Sequence, residues 1–106
     1  MVVASSATRR RGGDKTMFYT YVLISEKNQR LYVGSTEDLR QRFKEHNQGI
    51  GGKYTSNNRP FLLVYYEAFL SKSDAIKQEH FYKTGYGREV LRGKINGSLK
   101  LICPIV

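Results

Sequence analysis

The run Tyr19-Thr20-Tyr21-Val22-Leu23-Ile24 constrains the fold of this chain more than any other stretch. Alternate side chains of a strand point to opposite faces. Tyr19, Tyr21 and Leu23 form one set and Thr20, Val22 and Ile24 the other. Both sets are β-favouring and mostly apolar, which describes a central strand covered on both sides. The polar segment Ser25-Glu26-Lys27-Asn28-Gln29 follows, and Arg30 to Gly34 reads as a second strand. Two strands joined by about five turn residues predict an antiparallel hairpin. The domain proper begins at Met17 or Phe18.

Beyond the hairpin the period lengthens. Ser35 is a good helix N-cap, and Asp38 three residues on resembles a capping box. The helix is expected over Glu37 to Gln48, ending at Gly49. Leu39 and Phe43 share its core face, with Arg42 and His46 one turn apart on the edge of that stripe. Ile50 to Pro60, rich in Gly and Asn, reads as a loop that carries Lys53, Tyr54 and Arg59. Phe61 to Phe69 reads as a third strand, apolar on both faces. Ser73 caps a second helix, from Asp74 to about Thr84, stopped by Gly85. A short third helix is expected over Gly87 to Ile95, with Asn96 onward irregular and Leu99 to Val106 either a weak strand or a packed tail. The order β-β-α-β-α-α describes an α+β domain: a three-stranded, mostly antiparallel sheet flanked by helices.

The chain has 106 residues, room for one hydrophobic core. Residues 1–16 read as a flexible basic arm, 17–95 as the domain and 96–106 as a C-terminal tail. Cys103 is the only cysteine, so an internal disulfide is excluded, and with it a zinc site of the Cys-x-x-Cys kind. Cys103 reads as a reduced bystander. The formal net charge is +9, of which the arm holds +3 through Arg9, Arg10, Arg11 and Lys15 against Asp14. The remaining +6 favours a polyanionic partner, nucleic acid first. No stretch approaches the roughly 18–20 apolar residues of a membrane span. The Ser-rich, basic start reads as a leader that helps grip phosphate, with organellar targeting as the alternative.

Three features sit awkwardly in a bland fold. At about 100° per residue, Glu79 falls inside the stripe that Ala75, Ile76 and Tyr82 mark as core-facing. A buried carboxylate is costly unless it is paired or holds a metal. Its partner is therefore Lys83, four residues on, or Arg42 across the sheet, or a cation. Arg42 and His46 offer a phosphate-sized fork and a proton shuttle, though such a pair on a helix edge also suits solvated surface. Tyr21 and Tyr32, eleven residues apart, can meet across the hairpin. Each fits core packing; as a general base either needs a nearby cation, because a phenol titrates near about 10.

Taken together these positions resemble the GIY-YIG nuclease superfamily. Tyr32-Val33-Gly34 is similar to its second half-motif, and Tyr19-Thr20-Tyr21 keeps the final Tyr of the first. The segment from Tyr32 to His46 resembles the family's strand-to-helix passage, with Arg42 at the catalytic arginine and His46 one turn later. Glu79, in Ala75-Ile76-Lys77-Gln78-Glu79, falls on the metal-binding glutamate. The resemblance spans about residues 17–95 and is nearest to small stand-alone bacterial-type members, with Lys83-Thr84-Gly85-Tyr86-Gly87-Arg88 after the glutamate.

The resemblance implies a metal-dependent endonuclease that hydrolyses DNA phosphodiester bonds, with a place in DNA repair or recombination. Glu79 would hold Mg²⁺ or Mn²⁺, Arg42 would neutralise the phosphate, Tyr21 or Tyr32 would activate water, and His46 would orient a tyrosine or take a proton. Gly34 would admit backbone close to the phosphate. Lys53, Tyr54, Arg59, Lys72, Lys83 and Arg88 would extend the DNA track. The implied partner is DNA, with RNA open, no membrane, and a protein partner supplying specificity. The implied setting is the cytoplasm, at the nucleoid. The alternatives are a DNA- or RNA-binding module of the same fold that does not cleave, and a basic protein-interaction domain.

Overall fold

The computed structural model describes residues 17–102. The basic arm, Cys103 and the last residues of the tail lie outside them. The chain runs β1 (Phe18–Ser25), β2 (Leu31–Thr36), α1 (Leu39–Gln48), α2 (Lys53–Asn58), β3 (Phe61–Phe69), α3 (Lys72–Tyr82) and α4 (Gly85–Ile102). The three strands form one antiparallel sheet in the order β2-β1-β3. This is the expected α+β architecture. None of the described helices is long and apolar enough to cross a membrane.

The two-faced run in β1 has the predicted consequence. Every residue from Thr20 to Ser25 is buried. Val22 packs on one face with Val33, Tyr82, Leu91 and Ile95, beneath α3 and α4. Tyr21 and Leu23 pack on the other with Phe61, Leu39 and Phe43, beneath α1. β1 thus carries one half-core on each side. β3 is an edge strand, and it departs from the expected doubly covered run. Leu62 and Tyr66 are exposed, because only its inner edge pairs and the helices reach it in part.

The helix boundaries differ from expectation for identifiable reasons. α1 starts at Leu39 because Asp38, not Ser35, is its cap: Asp38 Oδ1 accepts from the Gln41 N–H at 3.1 Å. Ser35 stays in β2. Gly49 closes the helix in the left-handed region, at φ 85°, where a Cβ is disfavoured. The segment expected to be all loop contains α2. Its Lys-Tyr-Thr-Ser-Asn-Asn sequence has poor helix propensity, and tertiary anchoring of the buried Thr55 overrides it.

α3 begins two residues earlier than expected, with Ser71 as its cap position rather than Ser73. It ends at Tyr82 because Thr84 starts the next helix. The Thr84 hydroxyl accepts from the Gly87 N–H at 3.0 Å and its carbonyl from the Arg88 N–H at 2.9 Å. Gly85 therefore opens α4 instead of stopping α3. α4 continues to Ile102, so residues 96–102 are helical rather than irregular or a strand. Gly93 and Gly97 weaken local propensity, but Leu91, Ile95 and the half-buried Leu99 continue one apolar stripe at a four-residue spacing.

Candidate active site

The site straddles the free edge of β2. Residue pairing puts Gly34 directly opposite Tyr21 and Tyr32 opposite Leu23, so all four side-chain positions lie on the α1 face. A Cβ at Gly34 would run into the hydroxyl and ring of Tyr21. The glycine lets the phenol lie across β2. Gly34→Ala is expected to destabilise the fold by about 1–3 kcal/mol through this overlap, read as a lower urea midpoint. An unchanged midpoint would show that the ring is not held there.

His46 joins the two tyrosines. It is fully buried, with ring centroids 5.8 Å from Tyr21 and 5.1 Å from Tyr32. Its Nε2 lies 2.8 Å from the Tyr21 hydroxyl and its Nδ1 2.8 Å from Thr55 Oγ1. Thr55 donates to the Gly52 carbonyl at 3.3 Å. One tautomer satisfies the whole chain: His46 Nδ1–H donates to Thr55, and the bare Nε2 accepts from Tyr21. Gly51 packs so closely that a Cβ there would meet His46 Nδ1. Burial, with the Arg42 charge as a smaller cause, pushes the His46 pKa down to about 4. The ring is therefore neutral at neutral pH and able to accept. Burial pushes the Tyr21 pKa up to about 12, against the opposing influence of the Arg42 guanidinium.

Arg42 leans over this cluster from α1. Its Nη1 binds Glu45 at 3.0 Å and its Nη2 donates to the Gly51 carbonyl at 2.8 Å. The expected alternative pairing of Arg42 with Glu79 does not occur. Glu79 arrives from the opposite face. Ser35, one residue after Gly34, turns its hydroxyl to that face and donates to Glu79 Oε1 at 2.6 Å. Lys83 holds Oε2 at 2.6 Å. Burial alone would raise the Glu79 pKa, but the hydrogen bonds from Lys83 and Ser35 hold it below the usual carboxylate range. Thr20 bonds the Ala75 carbonyl at 2.7 Å and anchors α3 against the sheet. Gly34 and Ser35 are adjacent on an edge strand, so Tyr21 lies against one face of β2 and Glu79 against the other at neighbouring positions. The Glu79 charge reaches Tyr21 and adds to the rise in its pKa.

A cleft of about 630 Å³ continues along the outside of β2. Tyr32, Tyr54, Lys83 and Arg88 line it; Lys53, Arg59 and Lys72 do not. Arg59 instead packs against Gly49, and Lys72 borders a separate hollow with Phe18 and Ser35. Ser35, Gly51 and Thr55 were not anticipated as neighbours of the site. The strand register carried a signal for Ser35, since it alternates with Gly34. Arg30 and Arg92, which also line the cleft, were missed too. Arg92 stands one turn beyond Arg88 on α4, a readable spacing.

The GIY-YIG catalytic domain matches residues 17–94. The "UPF0213 protein in ldhD 5'region" of Pediococcus acidilactici is 44% identical over 77 residues, covering 71% of this chain and 78% of that one. A UPF0213 protein of Haloquadratum walsbyi is 44% identical over 72 residues, covering 67% and 80%. The solution NMR structure of a UPF0213 protein from Bacillus halodurans is 35% identical, covers 74% of this chain and 84% of its own, and superposes with a TM-score of 0.47. With a family match across nearly all of the described residues and relatives this similar, the chain belongs to the GIY-YIG catalytic domain family.

Proposed function

We propose that this chain is a metal-dependent endonuclease that hydrolyses phosphodiester bonds of DNA. One observation carries the reading: the Tyr21–His46 pair lies against Gly34 and an ionised Glu79 against Ser35, neighbouring residues of the edge strand β2. Among the described residues no three His, Cys, Asp or Glu side chains come together as a metal cluster. A single carboxylate still suits Mg²⁺, which keeps most of its waters, and Mn²⁺ in the same role. Glu79 would hold the ion once Lys83 releases Oε2. Bound there, the metal supplies neutralisation of charge on the phosphate and leaving oxygen.

The protein's own residues do the rest. Arg42 keeps part of its fork free for a non-bridging phosphate oxygen and would offset the charge that builds in the transition state. Tyr21 is the better placed of the two tyrosines to activate water, because its hydroxyl proton is committed to His46 Nε2. The same buried phenol oxygen keeps lone pairs through which it would accept from the attacking water. His46 holds that orientation and draws on the phenol proton as the water's proton arrives. The relay matters because a phenol with a pKa near 12 is not a free phenolate at neutral pH. Water adds to phosphorus as the leaving oxygen departs in line.

The Lys83–Glu79 contact favours a second reading, a nucleic-acid-binding module whose carboxylate is permanently neutralised by its own lysine. Nicking of supercoiled plasmid and cutting of labelled oligonucleotides, with Mg²⁺ or Mn²⁺ and with chelator, separate the two. Cation-dependent cleavage supports the nuclease; binding without cleavage under every cation condition sinks it.

A further inference from the structure

The cleft beside β2 has a composition of its own. Arg30, Lys83, Arg88 and Arg92 line it, and none of its lining residues is acidic. Its cations come from three elements: the entry to β2, the end of α3 and one face of α4. On the wall toward the site, Tyr54 stacks on Tyr32 at 5.9 Å and 15° between ring planes. Tyr54 is 43% exposed, so its outer face is open. Lys83 links the two regions, since it lines the cleft and holds Glu79.

Four cations in a concave channel attract a phosphate backbone. An open aromatic face beside them needs a partner with a free π-surface. Bases inside a duplex are covered above and below by their neighbours, whereas bases of a single strand are free to stack on tyrosine. A cationic groove with aromatic platforms is the general signature of single-strand binding. We infer that this cleft takes a single-stranded polynucleotide leading to the Glu79–Tyr21 site, with a base on Tyr54 and phosphates on Arg30, Arg88 and Arg92. The inference rests on the nuclease reading for its direction toward the site, but its binding claim is tested without cleavage.

Fluorescence anisotropy in chelator measures the affinity of the full chain for labelled oligothymidylate, oligouridylate and a duplex of equal length. At least one single strand is expected to bind about tenfold or more tightly than the duplex. Whichever of the two binds better identifies the sugar. Tyr54→Ala is expected to weaken single-strand binding about fivefold or more, with duplex affinity unchanged. Tyr54→Phe retains the ring and the affinity. Arg92→Ala is expected to lower the slope of log affinity against log salt by roughly 0.7, as for the loss of one single-strand phosphate contact. Both variants alter exposed side chains, so the fold survives them. Equal affinity for duplex and single strands, or no effect of Tyr54→Ala, overturns the inference while leaving metal-dependent cleavage to stand. Absence of cleavage with these binding results intact overturns the nuclease reading alone.

Discussion

Glu79→Gln is expected to slow metal-dependent cleavage by about a hundredfold to a thousandfold while changing stability by less than about 1 kcal/mol. The two effects separate because the roles of the carboxylate separate. In the fold, Glu79 accepts from Ser35 and pairs with Lys83. Gln keeps the shape and an oxygen for Ser35. The lost pair with Lys83 is an i, i+4 contact whose lysine is half-exposed, and such pairs contribute about 0.3–0.5 kcal/mol. In the reaction, the negative charge would hold the cation, and no neutral amide replaces it. Losses of about 10²–10³ are typical when one pre-organised electrostatic group is removed from an active site. Arg42→Ala tests the positive charge on the α1 side of the sheet and is expected to fall in the same range. Initial cleavage rates at saturating Mn²⁺, beside urea midpoints, give the comparison. Full activity in Glu79→Gln would mean that the carboxylate serves only the fold, through Ser35 and Lys83.

The elements that position this site were legible in the sequence to unequal degrees. β1 was readable because two-sided burial leaves no ambiguity of face: both alternate sets are apolar. Glu79 stood out for the complementary reason, a charge inside an apolar helical stripe. Its pairing with Lys83 was one of the alternatives the sequence left open, and the competing Arg42 pairing was excluded only by geometry, since Arg42 finds Glu45 one turn away. Ser35 was misread because a serine before a helical run looks the same whether it caps the helix or ends the strand. The charged Asp38 took the cap, which released the Ser35 hydroxyl for Glu79. α2 was invisible to propensity. Its helix exists because Thr55 meets His46, a contact between residues nine apart that no local window weighs. The cleft was half legible. Arg88 and Arg92 share a helix face, but Arg30 joins them only once the hairpin lies beside α4.

Lowering the pH from about 7.5 to about 4.5 is expected to remove about 2–3 kcal/mol of stability through His46 alone. In the folded chain burial, then the Arg42 charge, holds its pKa at about 4, against about 6.5 in an unfolded chain. The folded pKa is the lower one. Below about 6.5 the unfolded state takes up a proton that the folded state still refuses, so stability falls with pH and levels off below about 4. The stabilising contribution is fully present above 6.5. Glu45, Glu67 and Glu79, all with lowered pKa values, also lose stability in acid, but mainly below the ordinary carboxylate range. His46→Gln isolates the histidine's contribution. At neutral pH the variant is expected to be less stable by about 1–3 kcal/mol, because the bonds to Tyr21 and Thr55 are remade imperfectly in a closed space. As pH falls to 4.5 that gap should narrow by about 2 kcal/mol and then close or invert, since glutamine has no proton to take up. Urea titrations of both proteins at a series of pH values measure the gap directly. A gap that stays constant across this window would mean that His46 titrates alike in the folded and unfolded states. The neutral imidazole on which the orientation of Tyr21 depends would then be lost as a premise.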